Sequence, residues 1–505
     1  MRVGLVRWAP ALLLAAAAVW LIAAAGSSGH QGRGGSVPLP VPHPQVSDFV
    51  QLTRSETPPT QAQCNSAGRR CFTPQSTRAA YNVNPLYAQG YDGSGRTIAI
   101  VDSYGSDTMA HDLHVYNRTF GLPSMCGEEG VTCTAGMPRF SQLSLQGSPA
   151  TKAPPSTSQG TGQEDKSAWA LEVALDVETA HAMAPGANIL LVHTPTAETL
   201  GVQGFPQMMA AEKYVVDHGL ADVISQSFAS AEDAFGSKQS LENLRDAFKA
   251  AAVNGVTVLG SSGDGGSANA TKTPVGHGGS TIPVPTVEWP ASDPLVTGVG
   301  GTYLCTDATN TTTRTLDNVS PPVNCQGQPE QEIGWIASGG GFSHVFARPA
   351  FQATLPAGST AIPQTQRGVP DIALQASSRT GALVYLTLPP DGTSGLICPG
   401  GQPCSTGWYD IGGTSLSCPQ WAGLVAIAAQ IRGGRLGPIN QALYGIASNP
   451  AAYATDYFDI TKGNNQADPA VPGYNNTPGW DPVTGLGTPN AARLLPALAA
   501  YTLTH

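Results

Sequence analysis

Charge is scarce in this chain. Of 505 residues only 12% are Asp, Glu, Lys or Arg, and 35 acids outnumber 25 bases, for a formal net charge of -10. An acidic chain offers nucleic acid little electrostatic footprint, which argues against a nucleic-acid partner. The same balance suits oxygen-liganded cations and work at low pH, where the charge falls. Several signatures are absent too. The run Gly260-Ser261-Ser262-Gly263-Asp264-Gly265-Gly266 holds no lysine and no GxxxxGK[ST] pattern, which speaks against a phosphate cradle. Ser415 does not sit in a Gly-x-Ser-x-Gly elbow, which sets aside an esterase or lipase of that type. No CxxC spacing supports a thiolate metal site. There is no internal repeat, and after the first 25 residues no segment is apolar enough to span a membrane.

What the chain does have is glycine (59) and proline (42), in a length that suits one large α/β domain with long loops and terminal segments. Arg2 and Arg7 precede an apolar run from Trp8 to Ala25 that ends in Ala23-Ala24-Ala25 before Gly26. Residues 1–25 thus read as a secretory signal peptide, and the protein as secreted, with an uncleaved signal anchor as the rival reading. Residues 26–78, rich in Gly, Pro, Ser, Gln and Thr, read as a loosely ordered leader that clips onto the surface. Eight of nine cysteines fall into sequence-near pairs: Cys64 with Cys71, Cys126 with Cys133, Cys305 with Cys325, Cys398 with Cys404. Connectivity does not follow from sequence alone, but nearest-neighbour staples are the cheapest pairing and fit an oxidising compartment. Cys418 is left over, as a small apolar residue on a buried helix.

From residue 79 onward an α/β rhythm sets in. Thr97–Val101 reads as a buried strand ended by Asp102. Ser167–Met183 reads as a helix, Ala187–His193 as a strand, and Pro206–His218 as a helix. Asp222–Ser227 reads as a strand, Leu241–Asn254 as a helix, and Val256–Gly260 and Ala382–Leu388 as strands. Strands separated by helices of this length give right-handed crossovers and a doubly wound parallel sheet with helices on both faces. Residues 265–345 read as surface loops around a few short strands. Such a sheet binds ligands beyond its carboxyl ends, which makes Asp102, Ser227 and Asp264 candidates by position.

Gly412-Gly413-Thr414-Ser415 leads into Leu416–Ala429, which has no charge on any face and reads as a buried central helix. Ser415 there suits either an N-terminal cap or an accessible nucleophile beside free backbone N–H groups. Glu172 and Asp176 lie one turn apart on one face of an otherwise apolar helix, where two like charges are unfavourable unless they share a proton. Of ten histidines, His111 and His181 are the candidate bases for a Ser-His-Asp site. His181 is nine and five residues from Glu172 and Asp176, on another face, and no His-Gly-Thr-His pattern occurs.

These residues resemble a known family. Glu172-x-x-x-Asp176 ahead of Ala184-Pro185-Gly186-Ala187, then Ser262-Gly263-Asp264, Ser338-Gly339-Gly340-Gly341-Phe342-Ser343, Val369-Pro370-Asp371, and Gly413-Thr414-Ser415 with Pro419 and Ala422-Gly423, are similar to the sedolisins, serine-carboxyl peptidases with a subtilisin-like fold. The resemblance runs from about 71 to 500 and implies a sedolisin-like peptidase domain over 79–505. It implies an acid-active endopeptidase with Ser415 as nucleophile, Glu172 as general base, Asp176 as the carboxyl backing it, Asp264 as oxyanion donor, and Asp102 extending the acidic network. It further implies that Ser227, Phe228 and Ala229 form the edge to which a peptide substrate adds as a strand; Ala229 stands where the family has glycine. Over 457–485 it implies a loop binding one Ca²⁺ through the side chains of Asp459 and Asp481 and the carbonyls of Ile460, Thr477 and Gly479, an oxygen-only donor set. Protein or peptide substrates, a monomer, and no membrane partner unless the signal segment stays uncleaved complete the expectation. The leader is too short for the large folded prodomain that the family carries.

Overall fold

Eight strands form the central sheet of the computed structural model, which describes residues 43–44, 49–145, 163–195, 204–269, 281–319, 321–389 and 394–502. The expected signal peptide, 1–25, lies outside these residues, as does the leader from 26 to 42. The sheet strands are β3 (Thr97–Ser103), β4 (Phe140–Ser144), β5 (Asn188–Thr194), β6 (Val223–Gln226), β8 (Thr257–Ser261), β10 (Thr297–Leu304), β11 (Glu332–Gly334) and β14 (Ile372–Gln375). Their order is β11-β10-β8-β6-β3-β5-β4, with β14 also on β10, and every pairing is parallel except that of β11. The remaining strands named below are β1 (His43–Pro44), β2 (Phe49–Gln51), β7 (Phe228–Ala231), β9 (Glu288–Trp289), β12 (Gly341–Phe342), β13 (Gly368–Val369), β15 (Ala382–Leu386) and β16 (Gly407–Ile411).

Both faces of the sheet are covered, as its apolar strands require. Ile98 and Ile100 of β3 point into one core with α5 (Gln163–Met183) and α9 (Thr414–Arg432). Ala99 and Val101, alternating with them, point into a second core with α6 (Gly204–Asp217) and α8 (Asp246–Val253). The subtilisin-like α/β class expected from the sequence is therefore the fold observed. α9 crosses beneath β6, β8, β10 and β14 and packs along α5, so the two helices that carry Ser415, Glu172 and Asp176 are neighbours.

Three stretches differ from the sequence reading. Residues 265–345 hold β10, a fully buried central strand rather than a surface loop. Its glycines hide it: Gly301 faces Ala376 so closely that a Cβ there would lie 2.3 Å from the Ala376 methyl. The helix expected over 241–254 is two pieces, α7 (Lys238–Glu242) and α8, with Arg245 at the break paired to buried Asp293 through Nη2 at 2.8 Å. The expected leader contributes ordered elements from Phe49 on. Helices α1 (Gln61–Ser66) and α2 (Pro74–Ala80) each begin with a capping box, Thr60 with Gln63 and Thr73 with Ser76. Strand β2 pairs antiparallel with β16, which is also paired with β15 and leads through Gly412 and Gly413 into α9.

All four expected disulfides are formed, Cys64–Cys71, Cys126–Cys133, Cys305–Cys325 and Cys398–Cys404, and Cys418 is free and buried. Among the described residues no helix is long and apolar enough to cross a membrane.

Candidate active site

The carboxyl ends of β3, β6 and β8 bring the site together. Val101 is opposite Gln226 and Gln226 is opposite Gly260, so Asp102, Ser227 and the turn leading to Asp264 emerge at one edge of the sheet. Ser415 is the second residue of α9, after Gly413 at φ 121°, a backbone that L side chains rarely adopt. Ser415, Glu172, Asp176, Asp102 and Ser227 are all fully buried, and Asp264 is half-buried.

Two contacts tie these segments together. The Ser227 hydroxyl donates to Asp176 Oδ1 at 3.0 Å. The backbone N–H and the hydroxyl of Thr414 both donate to Asp264 Oδ1, at 2.7 and 2.9 Å, while Thr414 Oγ1 accepts from the Gly263 N–H at 3.1 Å. The residue beside the candidate nucleophile thus fixes the candidate oxyanion acid. Sequence reading passed Thr414 over; its place between Gly413 and Ser415 was the sole signal.

The electrostatics are set by burial without donors. Burial raises Glu172 well above the carboxylate range, with nearby Asp102 adding to the rise and the Ser415 hydroxyl opposing it. Asp176 is raised in the same way, by burial and then by Asp102 and Glu172. Burial pushes Asp102 up to about 8. Among the described residues no donor stands in full hydrogen-bond geometry to either oxygen of Glu172 or Asp102, and the Ser415 hydroxyl acts on Glu172 from just outside that geometry. The serine and its candidate base lie beside each other without a closed bond, as is common before a ligand tightens a site. Three acids that feel one another in a buried site must share protons.

The candidate histidines are engaged elsewhere. His111 pairs with Glu129 at 2.5 Å on the surface. His181 is buried with Nε2 on the Pro123 carbonyl at 3.1 Å, and burial pushes it down to about 4. Burial pushes the Cys418 thiol up to about 12, which suits a packing residue rather than a nucleophile.

β7 begins directly after Ser227. It is the middle strand of a second sheet, β1-β7-β9, with His43 opposite Ala229 and Pro44 opposite Phe228, antiparallel. The Phe228 ring lies in the core against Phe205, 6.2 Å between centroids, so this residue offers a ligand its backbone.

In the 457–485 loop, Asp481 is buried and accepts from the N–H groups of Val483 and Thr484 at 2.8 Å, Thr477 at 3.1 Å and the Asn476 amide. Asp459 is exposed and accepts from the Gly479 N–H at 3.1 Å and the Tyr453 hydroxyl at 3.0 Å. Among the described residues no donor reaches the carbonyls of Ile460, Thr477 or Gly479, and no group of three or more His, Cys, Asp or Glu side chains could hold a metal. Two carboxylates and three unengaged carbonyls fit a hard cation, which would share the Asp481 oxygens with the N–H groups around them.

No protein-family profile matches the chain. Kumamolisin of Bacillus sp. (strain MN-32) is 30% identical over 457 residues, 90% of this chain and 68% of that protein. Tripeptidyl-peptidase 1 of Mus musculus is 29% identical over 366 residues, 68% of this chain, and this chain spans 54% of its length. Among solved structures, Pseudomonas sedolisin, a serine-carboxyl proteinase in complex with two molecules of pseudo-iodotyrostatin, superposes with a TM-score of 0.61 at 25% identity over 84% of this chain and 97% of that one. With the fold and these relatives in agreement, the chain belongs to the sedolisin family of serine-carboxyl peptidases, hydrolases on a subtilisin-like fold.

Proposed function

We propose that this protein is a secreted, acid-active endopeptidase in which Ser415 attacks the scissile carbonyl and Glu172 takes its proton. Asp176 backs Glu172, and Asp264 donates to the oxyanion. The observation that carries this reading is the meeting of Ser415, Glu172, Asp176 and Asp264 at the first turn of α9, joined by the Ser227–Asp176 and Thr414–Asp264 hydrogen bonds.

The chemistry follows from the protons. A carboxylate base must be ionised to accept from Ser415, and once one of three buried acids that repel one another has lost its proton the other two hold theirs more tightly. The remaining charge is the base, and it passes among Glu172, Asp176 and Asp102. When the tetrahedral intermediate forms, its oxyanion needs a donor. Two donors from Thr414 occupy Asp264 Oδ1, so a protonated Asp264 carries its proton on Oδ2. Glu172 then protonates the leaving amine, and the same steps run again with water against the acyl-enzyme.

Protein or peptide substrates would add to β7 along Ser227, Phe228 and Ala229. The chain's own His43–Pro44 already adds there as an antiparallel strand, which supports reading this edge as one that accepts extended peptide. One Ca²⁺, bound by Asp459, Asp481 and the carbonyls of Ile460, Thr477 and Gly479, would supply the charge that ties the 457–485 loop together. Four disulfides support export, and a monomer without a membrane partner is the expected form.

Ser415→Ala tests the reading. It should lower hydrolysis of denatured protein at acidic pH by on the order of 10⁶-fold and leave the melting temperature in place. Near-normal turnover by the purified variant would remove Ser415 from the mechanism.

A further inference from the structure

We propose that Ser227 is a positioning residue of this site: its one hydroxyl proton, offered to Asp176 or to Glu172, decides which of the two carboxyls carries the charge. The role rests on the peptidase reading above and adds to it the group that places the base.

The backbone at Ser227 is held firmly. Gln226, just before it, is in register with Val101 of β3 and Gly260 of β8. From the helix side α9 grips the same strand end through Cys418. The Cys418 thiol donates to the Gln226 carbonyl at 3.6 Å and accepts from the Ser225 hydroxyl at 3.4 Å. The sheet and the helix that carries Ser415 thus fix where Ser227 sits. Its side chain is fully buried, as are Glu172 and Asp176 of α5. What remains free to turn is the hydroxyl.

A serine hydroxyl has one proton to give. In this structure it goes to Asp176 Oδ1 at 3.0 Å. Among the described residues, Asp176 Oδ2 and both oxygens of Glu172 meet no donor in full geometry. Glu172 feels the Ser227 hydroxyl from just outside that geometry, as it feels the Ser415 hydroxyl. Glu172 and Asp176 lie one helical turn apart, and Ser227 acts on both.

A hydrogen bond to a carboxylate favours its charged form. With Ser227 on Asp176, the charge of the pair rests on Asp176 and the proton on Glu172, which then cannot accept from Ser415. When the hydroxyl turns to Glu172 the preference reverses. Asp176 takes the proton from Glu172, and Glu172 becomes the charged base. One proton changes carboxyls and none is gained or lost, so no further reactant is needed. The other titratable groups facing the pair do different work. Asp102 on β3 raises both carboxyls and Asp264 on the 262–264 turn raises Glu172, each as a like charge. The Cys418 proton is on the Gln226 carbonyl.

The test is kcat against pH for a neutral peptide, with the full chain and Ser227→Ala. The acid limb reports ionisation of the base in the complex. Without the hydroxyl neither carboxylate has that donor, so the first proton leaves less readily. The acid limb of Ser227→Ala should move to higher pH by about 1 to 2 units, the range for losing one hydrogen bond to a charged group. At the foot of the wild-type acid limb that is a loss of about 10- to 100-fold beyond any loss at the optimum. Ser227→Thr, which keeps a hydroxyl, should bring the limb back. An even loss across the profile with the limb in place is what a merely structural serine would give, and it overturns the inference. Infrared titration of the carboxyl stretches needs no hydrolysis and separates this inference from the peptidase reading. In wild type Asp176, assigned by the band missing in Asp176→Asn, should lose its proton before Glu172, and in Ser227→Ala that loss should move to higher pH. If no peptide is hydrolysed and the Asp176 band behaves this way, the peptidase reading fails and proton placement by Ser227 stands. If Ser415→Ala abolishes hydrolysis while Glu172 ionises first in wild type, the peptidase reading stands and this inference falls.

Discussion

Two sets of acids in this molecule meet opposite treatment. Asp481 in the C-terminal loop receives three backbone N–H groups and an amide, so the loop is wrapped around its carboxylate. Glu172 and Asp102 at the sheet edge are buried as completely, yet among the described residues no backbone N–H or amide closes a hydrogen bond on their oxygens. Burial without donors is costly and persists where a function keeps it. The first acid is held by the backbone around it; in the proposed mechanism the others keep their lone pairs for protons. Removing an acid from each set should therefore have opposite consequences.

The largest effect belongs to the sheet edge. Glu172→Gln removes the proposed base and should lower kcat by roughly 10⁴-fold or more. Its melting temperature should hold or rise, because the amide needs no proton to stay neutral in a buried site. A variant that loses stability in step with activity would erase the distinction between the two sets.

The loop should behave the other way. Asp481→Ala leaves buried N–H groups without an acceptor and should cost about 3 kcal/mol of stability, while kcat of the molecules that remain folded stays near wild type. A chelator should lower the melting temperature of wild type and leave this variant unchanged. Indifference of wild type to chelator after metal-free purification would count against the ion.

The smallest effect is in the pH dependence of stability. Asp102 is raised from 3.8 to about 8 in the folded state, so across that interval the native protein binds the proton that the unfolded chain has released. Stability is then full below the unfolded value and falls as pH rises through the folded one. His181 and His193, both pushed down to about 4, oppose this trend up to about 6.5 and are neutral in both states above it. From pH 6.5 to 8 the decline attributable to Asp102 should amount to about 2 kcal/mol, and Asp102→Asn should flatten it. Thermal melts across that window that rise with pH would refute the assignment.

Much of the site was legible because its chemistry is local. Glu172 and Asp176 share a helical face by spacing alone, and an uncharged helix after paired glycines marks Ser415. The four staples are short enough that the nearest partner is the right one. What escaped reading depends on distant neighbours. β10 owes its glycines to Ala376, Ser338 and Pro370 pressing on it, none of which its own sequence announces. The ordered part of the leader is held by capping boxes and by pairing to β16, more than three hundred residues away, so its polar composition looked unstructured. Thr414 matters through Asp264, which only the folded chain brings to it.

In the proposed mechanism carboxyls, rather than a histidine, activate Ser415, and the pH profile of kcat/KM for a neutral peptide tests that most directly. The coupled acids around Ser415 should give an acidic optimum with an alkaline limb as their last shared proton and that of Asp264 are lost. A wild-type optimum at neutral or alkaline pH, with an acid limb near the histidine value of about 6.5, would contradict it.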